Sequence, residues 1–190
     1  MVSMSTEDNA YIQRVLEGDL RAYTPLVNKY HGYVLALVRR TCKHSAEAEE
    51  LAQDVFIKAY EHLKSFKGTA AFSTWLYRIA FNTAVSHARR RRYFWQSINQ
   101  SQAGLVATED EEEREEGLQR ESRYVLLEKA VAGLPSEEQM LLSLFYHQDM
   151  KMEEIAYICG LSQSNAKVKI HRIRKKLEQI LTEESQNANT

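Results

Sequence analysis

Apolar residues return along this chain at steps of three and four, the repeat that places them on one face of a helix. Tyr23, Leu26, Val27, Tyr30, Val34, Val38 and Thr41 make the first stripe and predict a helix from about Asp19 to Cys42. Ala48, Leu51, Ala52, Val55, Phe56, Ala59 and Leu63 make a second, with Ser45 as its N-cap, an acidic first turn of Glu47, Glu49 and Glu50, and an end near Ser65. The stretch from Ser65 to Ala70 breaks the period, and Phe72, Trp75, Leu76, Ile79, Ala80 and Thr83 restart it toward Arg92. From Ser97 to Gln119 the repeat fades, and the run EDEEEREE from Glu109 to Glu116 has too little apolar surface to offset the entropy of ordering it. Periodicity resumes with Tyr124, Leu127, Val131 and Leu134, followed by Pro135 and a capping box in which Ser136 faces Gln139, opening a helix to about Tyr146. Met152 to Ile158, a turn at Gly160-Leu161-Ser162, and a long stripe from Gln163 to about Leu181 then form a helix-turn-helix.

Composition divides this helical chain into two units. With 190 residues, 44% hydrophobic and 27% charged, and only seven glycines and two prolines, it is rich in helix formers and long enough for two compact cores. The formal net charge of -1 hides a segregation along the chain. Residues 1 to 95 carry 14 Lys/Arg against 9 Asp/Glu, residues 96 to 121 carry 2 against 8, and residues 122 to 190 carry 9 against 9. The expected fold is all-α: two small helical domains, 1–95 and 122–190, joined by a flexible acidic linker, 96–121, with both domains facing nucleic acid.

Cysteine usage and hydropathy remove other classes. Cys42 and Cys159 form no CxxC pair and have no histidine at ligand spacing beyond the uninformative Cys42/His44. Both are read as reduced, buried thiols, with no metal and no other cofactor expected. No apolar run approaches the ~20 residues of a membrane span, and MVSMSTEDNA at the start has no basic segment followed by an apolar one. A cytoplasmic protein without membrane insertion is expected.

In the first unit, Phe72, Leu76, Ile79 and Thr83 define the inward stripe of the third helix, while Arg78, Asn82 and Arg89 share an adjacent face bordered by Trp75. A guanidinium, an amide that both donates and accepts, and an aromatic plate can hold phosphates and stack on or hydrogen-bond an unpaired base. Lys64, Lys67 and Gly68 mark a basic loop upstream, and Arg89 to Arg92 with Tyr93, Phe94 and Trp95 lie downstream. The plainer alternative makes Trp75 and Tyr77 core aromatics and the arginines a solvated helix end.

The strings AEELAQDVFIKAY and FSTWLYRIAFNTA, within a match running from Glu47 to Arg92, resemble domain 2 of extracytoplasmic-function sigma factors of the sigma-70 superfamily. That resemblance implies several roles. Gln53, Asp54, Ile57 and Lys58 would face the clamp helices of the core polymerase, in its β and β′ subunits. The loop from Lys64 to Ala71 would capture a flipped base of the minus-ten element, at an unstacking cost of a few kcal/mol. Trp75, Tyr77, Arg78 and Asn82 would help hold the opened strand.

In the last helix, Ala166, Ile170, Ile173, Leu177 and Leu181 face inward, and Ser164, Lys167, Val168, His171, Arg172 and Lys175 face outward, the layout of a recognition helix for the major groove. Gln163, Ser164, Lys167 and His171 are candidate base contacts, and Lys169, Arg172, Arg174 and Lys175 candidate phosphate contacts. For Lys175 and Lys176, complementing the helix dipole is an equal alternative. The string from Leu134 to Leu181 resembles sigma domain 4, the reader of the minus-thirty-five element. Where that family has Gly-Thr-Val, this chain has Ser164-Asn165-Ala166, which points to a different base preference. The resemblance also implies promoter DNA as ligand, an acidic linker threading the RNA-exit path as a nucleic-acid mimic, and an inhibitory anti-sigma partner. A merely solvated tether is the alternative for the linker.

An enzyme is disfavoured: the chain has no Gly-rich phosphate loop, no H-E-x-x-H, no nucleophile elbow and no ligand cluster, and its six histidines are scattered. A plain transcriptional regulator with a carboxyl-terminal helix-turn-helix explains only the second half. A helical adaptor that never touches DNA leaves both basic faces unexplained.

Overall fold

The computed structural model of the protein describes residues 6–42, 44–99, 120–147 and 150–187, and among these every regular element is helical. Helix α1 (Thr6–Leu16), absent from the sequence reading, buries Asp8, Ile12 and Val15 on one face. Its carboxylate is the unusual member, since a buried charge persists only with partners. Asp8 has two: the Lys29 ammonium at 2.6 Å and the Tyr30 hydroxyl, which donates at 2.6 Å. Gly18, at φ 105°, turns the chain, and Asp19 accepts from the Arg21 amide to open a short 3-10 turn, Leu20–Ala22. The first long helix therefore starts later than the apolar pattern implied, as α2 (Tyr23–Arg39).

Helix α3 (Ser45–Glu61) follows, with His44 rather than Ser45 at the cap position and no side-chain cap bond. Beyond Glu61 the chain tightens into a second 3-10 turn, Leu63–Ser65, and α4 runs from Phe72 to Asn99. Leu26, Val34 and Val38 of α2, Ala48, Val55 and Ala59 of α3, and Leu76, Ala80 and Ala84 of α4 close one core between the three helices. Each large aliphatic buried there is worth roughly 1.5–3 kcal/mol. The Tyr23 hydroxyl ties α2 to α3 by donating to the Phe56 carbonyl at 2.8 Å. On α4, Ile79 is only half-buried, and Tyr77, Ala80, Phe81 and Ala84 widen the expected stripe.

Of the expected linker, residues 96–99 extend α4 and residues 120–121 open α5 (Arg120–Ala132); residues 100–119 lie outside the described residues. Tyr124 and Leu127, read as core positions, are 68% and 39% exposed, and α5 buries Ala130 instead. In α6 (Ser136–His147), the Gln139 side chain donates to the Ala132 and Leu134 carbonyls rather than accepting from a capping box with Ser136. Met140, Leu141, Leu142 and Leu144 supply its core face.

Helices α7 (Met152–Cys159) and α8 (Gln163–Asn187) are joined by a turn that local chemistry dictates. Gly160, at φ 67°, takes the left-handed conformation a side chain would resist, letting the Leu161 amide close on the Ala156 carbonyl. Ser162 then caps α8 by accepting from the Asn165 amide at 3.2 Å. Ala166, Ile170, Ile173 and Leu177 seat α8 on this unit, as their spacing predicts.

The two units are in contact. Helix α7 packs along α4, and α6 touches α2 and α4, so a single apolar cluster runs through both.

Candidate nucleic-acid interface

On α4, Arg78, Asn82 and Arg89 are exposed on one side, as four- and seven-residue spacing requires. Trp75, three residues before Arg78, is half-buried in an aromatic group, its ring 5.3 Å from that of Phe66 and 5.7 Å from that of Phe72. Its ring is packed within this group rather than standing as a free plate. Tyr77 departs from the strand-holding role: it is 5% exposed within the core, and burial raises its hydroxyl well above the ordinary phenol range. Its position between Leu76 and the Ala80/Phe81 pair accounts for that burial, so the core alternative holds for this residue. Upstream, Lys64 and Lys67 are exposed and Gly68 sits at φ 68°, bending the basic loop where a side chain would be strained.

The arginine run is not uniformly free. Arg89 and Arg90 are exposed, but Arg91 reaches across to Glu47 of α3 at 3.2 Å, with His87 Nε2 at 3.6 Å from the same carboxylate oxygen. Cys42 completes a cluster in which Cys42, Glu47 and His87 each place a potential ligand atom within 4.8 Å of the others. The cation already held at Glu47 is the Arg91 guanidinium. Both cysteines are free thiols and half-buried rather than buried; burial raises the Cys42 thiol and pushes that of Cys159 up to about 12. The side chains of Arg92, Tyr93, Phe94 and Trp95 lie outside the described residues.

On α3, Gln53, Asp54 and Ile57 are exposed, Ile57 at 56%. Lys58 is half-buried, its ammonium leans on the Thr83 hydroxyl of α4 at 3.5 Å, and it lines one cleft together with Asp54. Tyr60, also exposed, extends the apolar part of this surface and was not singled out by the sequence.

On α8, Gln163, Ser164, Lys167, Val168, His171, Arg172, Arg174 and Lys175 are all exposed, while the opposite side of the helix is core. Lys169 differs. It is half-buried beside Ile170, and its ammonium pairs with Glu137 of α6. One helical turn from Ile173, Lys176 lies 3.7 Å from Glu138. A phosphate would have to compete with Glu137 for Lys169, whereas Arg172 and Arg174 have no acidic partner within salt-bridge reach among the described residues. Glu137 and Glu138 read in sequence as ordinary first-turn acids, so nothing in the spacing announced that they reach α8. Asn165, exposed in the first turn of α8 beside Val168 and Arg172, is a further amide able to pair bidentately with adenine.

Comparison with known proteins agrees with this layout. Family models described as Sigma-70 region 2 and Sigma-70, region 4 match residues 26–93 and 124–177. The chain is 34% identical over 181 residues to the RNA polymerase sigma-H factor of Pseudomonas aeruginosa, covering 92% of this chain and 94% of that one. It is 32% identical over 184 residues to the ECF RNA polymerase sigma-E factor of Escherichia coli, covering 93% and 95%. Two solved structures share its fold at 22% identity and a TM-score of 0.63. One is the sigma factor RpoE in complex with the anti-sigma factor NepR from Bartonella quintana, covering 86% of this chain and 98% of that one. The other is CnrH in complex with the cytosolic domain of CnrY, covering 93% and 97%. Near-complete coverage by sigma factors at more than 30% identity, with a region 2 unit and a region 4 unit in order, means that this chain belongs to the extracytoplasmic-function sigma factors.

Proposed function

We propose that this sigma factor divides promoter reading between two helices, α8 for intact minus-thirty-five duplex and α4 for the opened minus-ten strand, within proposed domains 1–95 and 122–190 joined by residues 96–121. The observation that carries the reading is the outward side of α8. Gln163, Ser164, Lys167, His171 and Arg172 stand exposed on a helix whose other side is locked into core, so the residues that would meet base edges are rigidly presented. Arg172, Arg174 and Lys175 are placed for phosphates, with Lys169 demoted by its Glu137 partner. On α4, Arg78, Asn82 and Arg89 with the half-buried Trp75 would grip the unpaired strand, and Lys64, Lys67 and Gly68 would shape the pocket for a flipped base.

Gln53, Asp54, Ile57 and Lys58, with the neighbouring Tyr60, are the proposed contact with the polymerase clamp in the β and β′ subunits. Working with that enzyme on the chromosome would place the protein in the cytoplasm, and no helix among the described residues is long and apolar enough to cross a membrane. RpoE is in complex with the anti-sigma factor NepR, and CnrH with the cytosolic domain of CnrY, in the two structures that share this fold, which supports an inhibitory partner here too. Tethering two weak contacts on one polymerase makes the second effectively intramolecular. Run-off transcription with purified core enzyme and fragments of the source genome tests the reading: initiation at defined promoters only when the factor is added is expected, and no initiation from any fragment overturns it.

A further inference from the structure

We propose that Cys42, Glu47 and His87 form a site for a divalent ion of the zinc type, and that the ion takes the Glu47 carboxylate away from Arg91. The three residues come from separate places in the region 2 unit: Cys42 just past the end of α2, Glu47 in the first turn of α3, and His87 on α4. Each presents one potential ligand atom within 4.8 Å of the other two. Bonds of about 2.0–2.3 Å to a tetrahedral zinc set neighbouring ligand atoms roughly 3.3–3.8 Å apart, so a contraction of about an ångström closes the site. His87 Nε2 and a Glu47 carboxylate oxygen, 3.6 Å apart, already have that spacing.

Thiolate, imidazole and carboxylate together suit zinc, since magnesium and calcium take sets of oxygen ligands. His87 gives a second sign of a ligand. Its Nδ1 is out of contact with solvent and has no hydrogen-bond partner among the described residues, so the imidazole carries bonding capacity that the protein does not use. All three side chains are only partly buried, and a cleft lined by Glu47, His87, Asp54, Thr83 and Arg90 opens beside them, from which solvent can supply a fourth ligand. Burial raises the Cys42 thiol above its ordinary value, so it keeps its proton until an ion arrives. Coordination then forms the sulfur–zinc bond and the thiol proton leaves to solvent. Thiolate and carboxylate between them cancel the charge of a divalent ion.

Arg91 is the rival for this carboxylate, its guanidinium lying 3.2 and 3.4 Å from the two Glu47 oxygens. An ion bound to Glu47 uses up the carboxylate's charge and repels the guanidinium, releasing Arg91 toward Arg89 and Arg90, which are already exposed at the basic end of α4. Loading the ion thereby adds a cation to the helix proposed above to hold the opened strand. This consequence, unlike the site itself, rests on that reading. Spacing along the chain offered only His44 as a neighbour for Cys42, whereas the fold sets Cys42 beside His87.

The reduced full chain, stripped with a chelator, would be titrated with zinc chloride by calorimetry and with cobalt(II) chloride by absorption. One ion per chain is expected, with a thiolate-to-cobalt charge-transfer band. Cys42→Ser should abolish the band, and His87→Gln should weaken zinc binding by at least roughly tenfold. Cys159→Ser, which alters the thiol of the region 4 unit, should change neither. Arg91→Gln should bind zinc more tightly, because the rival for Glu47 is gone. A wild type without the cobalt band overturns the site whether or not any variant folds, and so does a band that persists in Cys42→Ser. Unaltered affinity in Arg91→Gln overturns the competition for Glu47. In anisotropy with short single-stranded DNA, zinc should steepen the slope of log affinity against log salt by up to about 0.7 in the wild type and not in Cys42→Ser. An unmoved slope in a chain that shows the band overturns the release of Arg91 toward nucleic acid. If Asn82→Ala then binds single strands as the wild type does, the fault lies in the strand-reading role of α4, and the ion site stands.

Discussion

The exposed side of α4 and the outward side of α8 carry similar chemistry, cations with an amide or imidazole among them, yet they stand in different surroundings. Helix α8 is fastened from behind by Ile170, Ile173 and Leu177 and from the flank by the Lys169–Glu137 and Lys176–Glu138 pairs, and its outward side faces solvent. Helix α4 is fastened as firmly, but part of its polar side is shared with α7 through Thr74 and Arg78. Duplex has fixed geometry and suits a preformed rigid face. An opened strand has no such fixed geometry, and on α4 it would meet Arg78, Asn82 and Arg89, of which Arg78 already rests against the Tyr157 ring.

Breaking the support behind α8 should have the largest effect. Leu144→Ala, at a fully buried position in α6, should lower stability by about 2–5 kcal/mol. Because one apolar cluster spans both units, denaturant unfolding followed at α4 and at α8 should shift together; a loss confined to α8 would mean that the units are energetically separate. Next come the proposed base contacts. Lys167→Ala and His171→Ala should each change minus-thirty-five discrimination by about 1–3 kcal/mol per lost contact, read by competition among single-base variants of the site, and an unchanged preference would remove that residue from the readout. The smallest effect should come from Glu137→Gln. Freeing Lys169 for a phosphate should steepen the slope of log affinity against log salt by up to about 0.9; an unaltered slope would show that Lys169 stays off the backbone even when released.

What the sequence made legible follows from periodicity. The stripe Ala166, Ile170, Ile173, Leu177 could bury only one side of a helix, and that left the outward residues of α8 identifiable before any fold was known. The turn was equally readable, since Gly160 and Ser162 act through their own backbone and the next residue or two. Contacts between distant segments were not. Lys169 and Glu137 lie 32 residues apart and each resembles an ordinary surface charge. Thr74 and Glu154 lie 80 apart and belong to different units. Helix α1 escaped because one of its three buried positions is Asp8, a polar residue until Lys29 and Tyr30 are placed beside it. Tyr124 and Leu127 misled for the opposite reason: apolar spacing marks a face able to be buried, and in α5 that face is left open.

The division of labour between the two helices is tested most directly by permanganate footprinting of a promoter bound by polymerase carrying the Asn82→Ala factor. Asn82 is exposed and takes no part in the aromatic group that holds Trp75, so its loss should spare the fold. Near wild-type occupancy of the duplex, with minus-ten thymines left unreactive, is the expected result. Thymines as reactive as with the wild-type factor would contradict the assignment of the opened strand to α4.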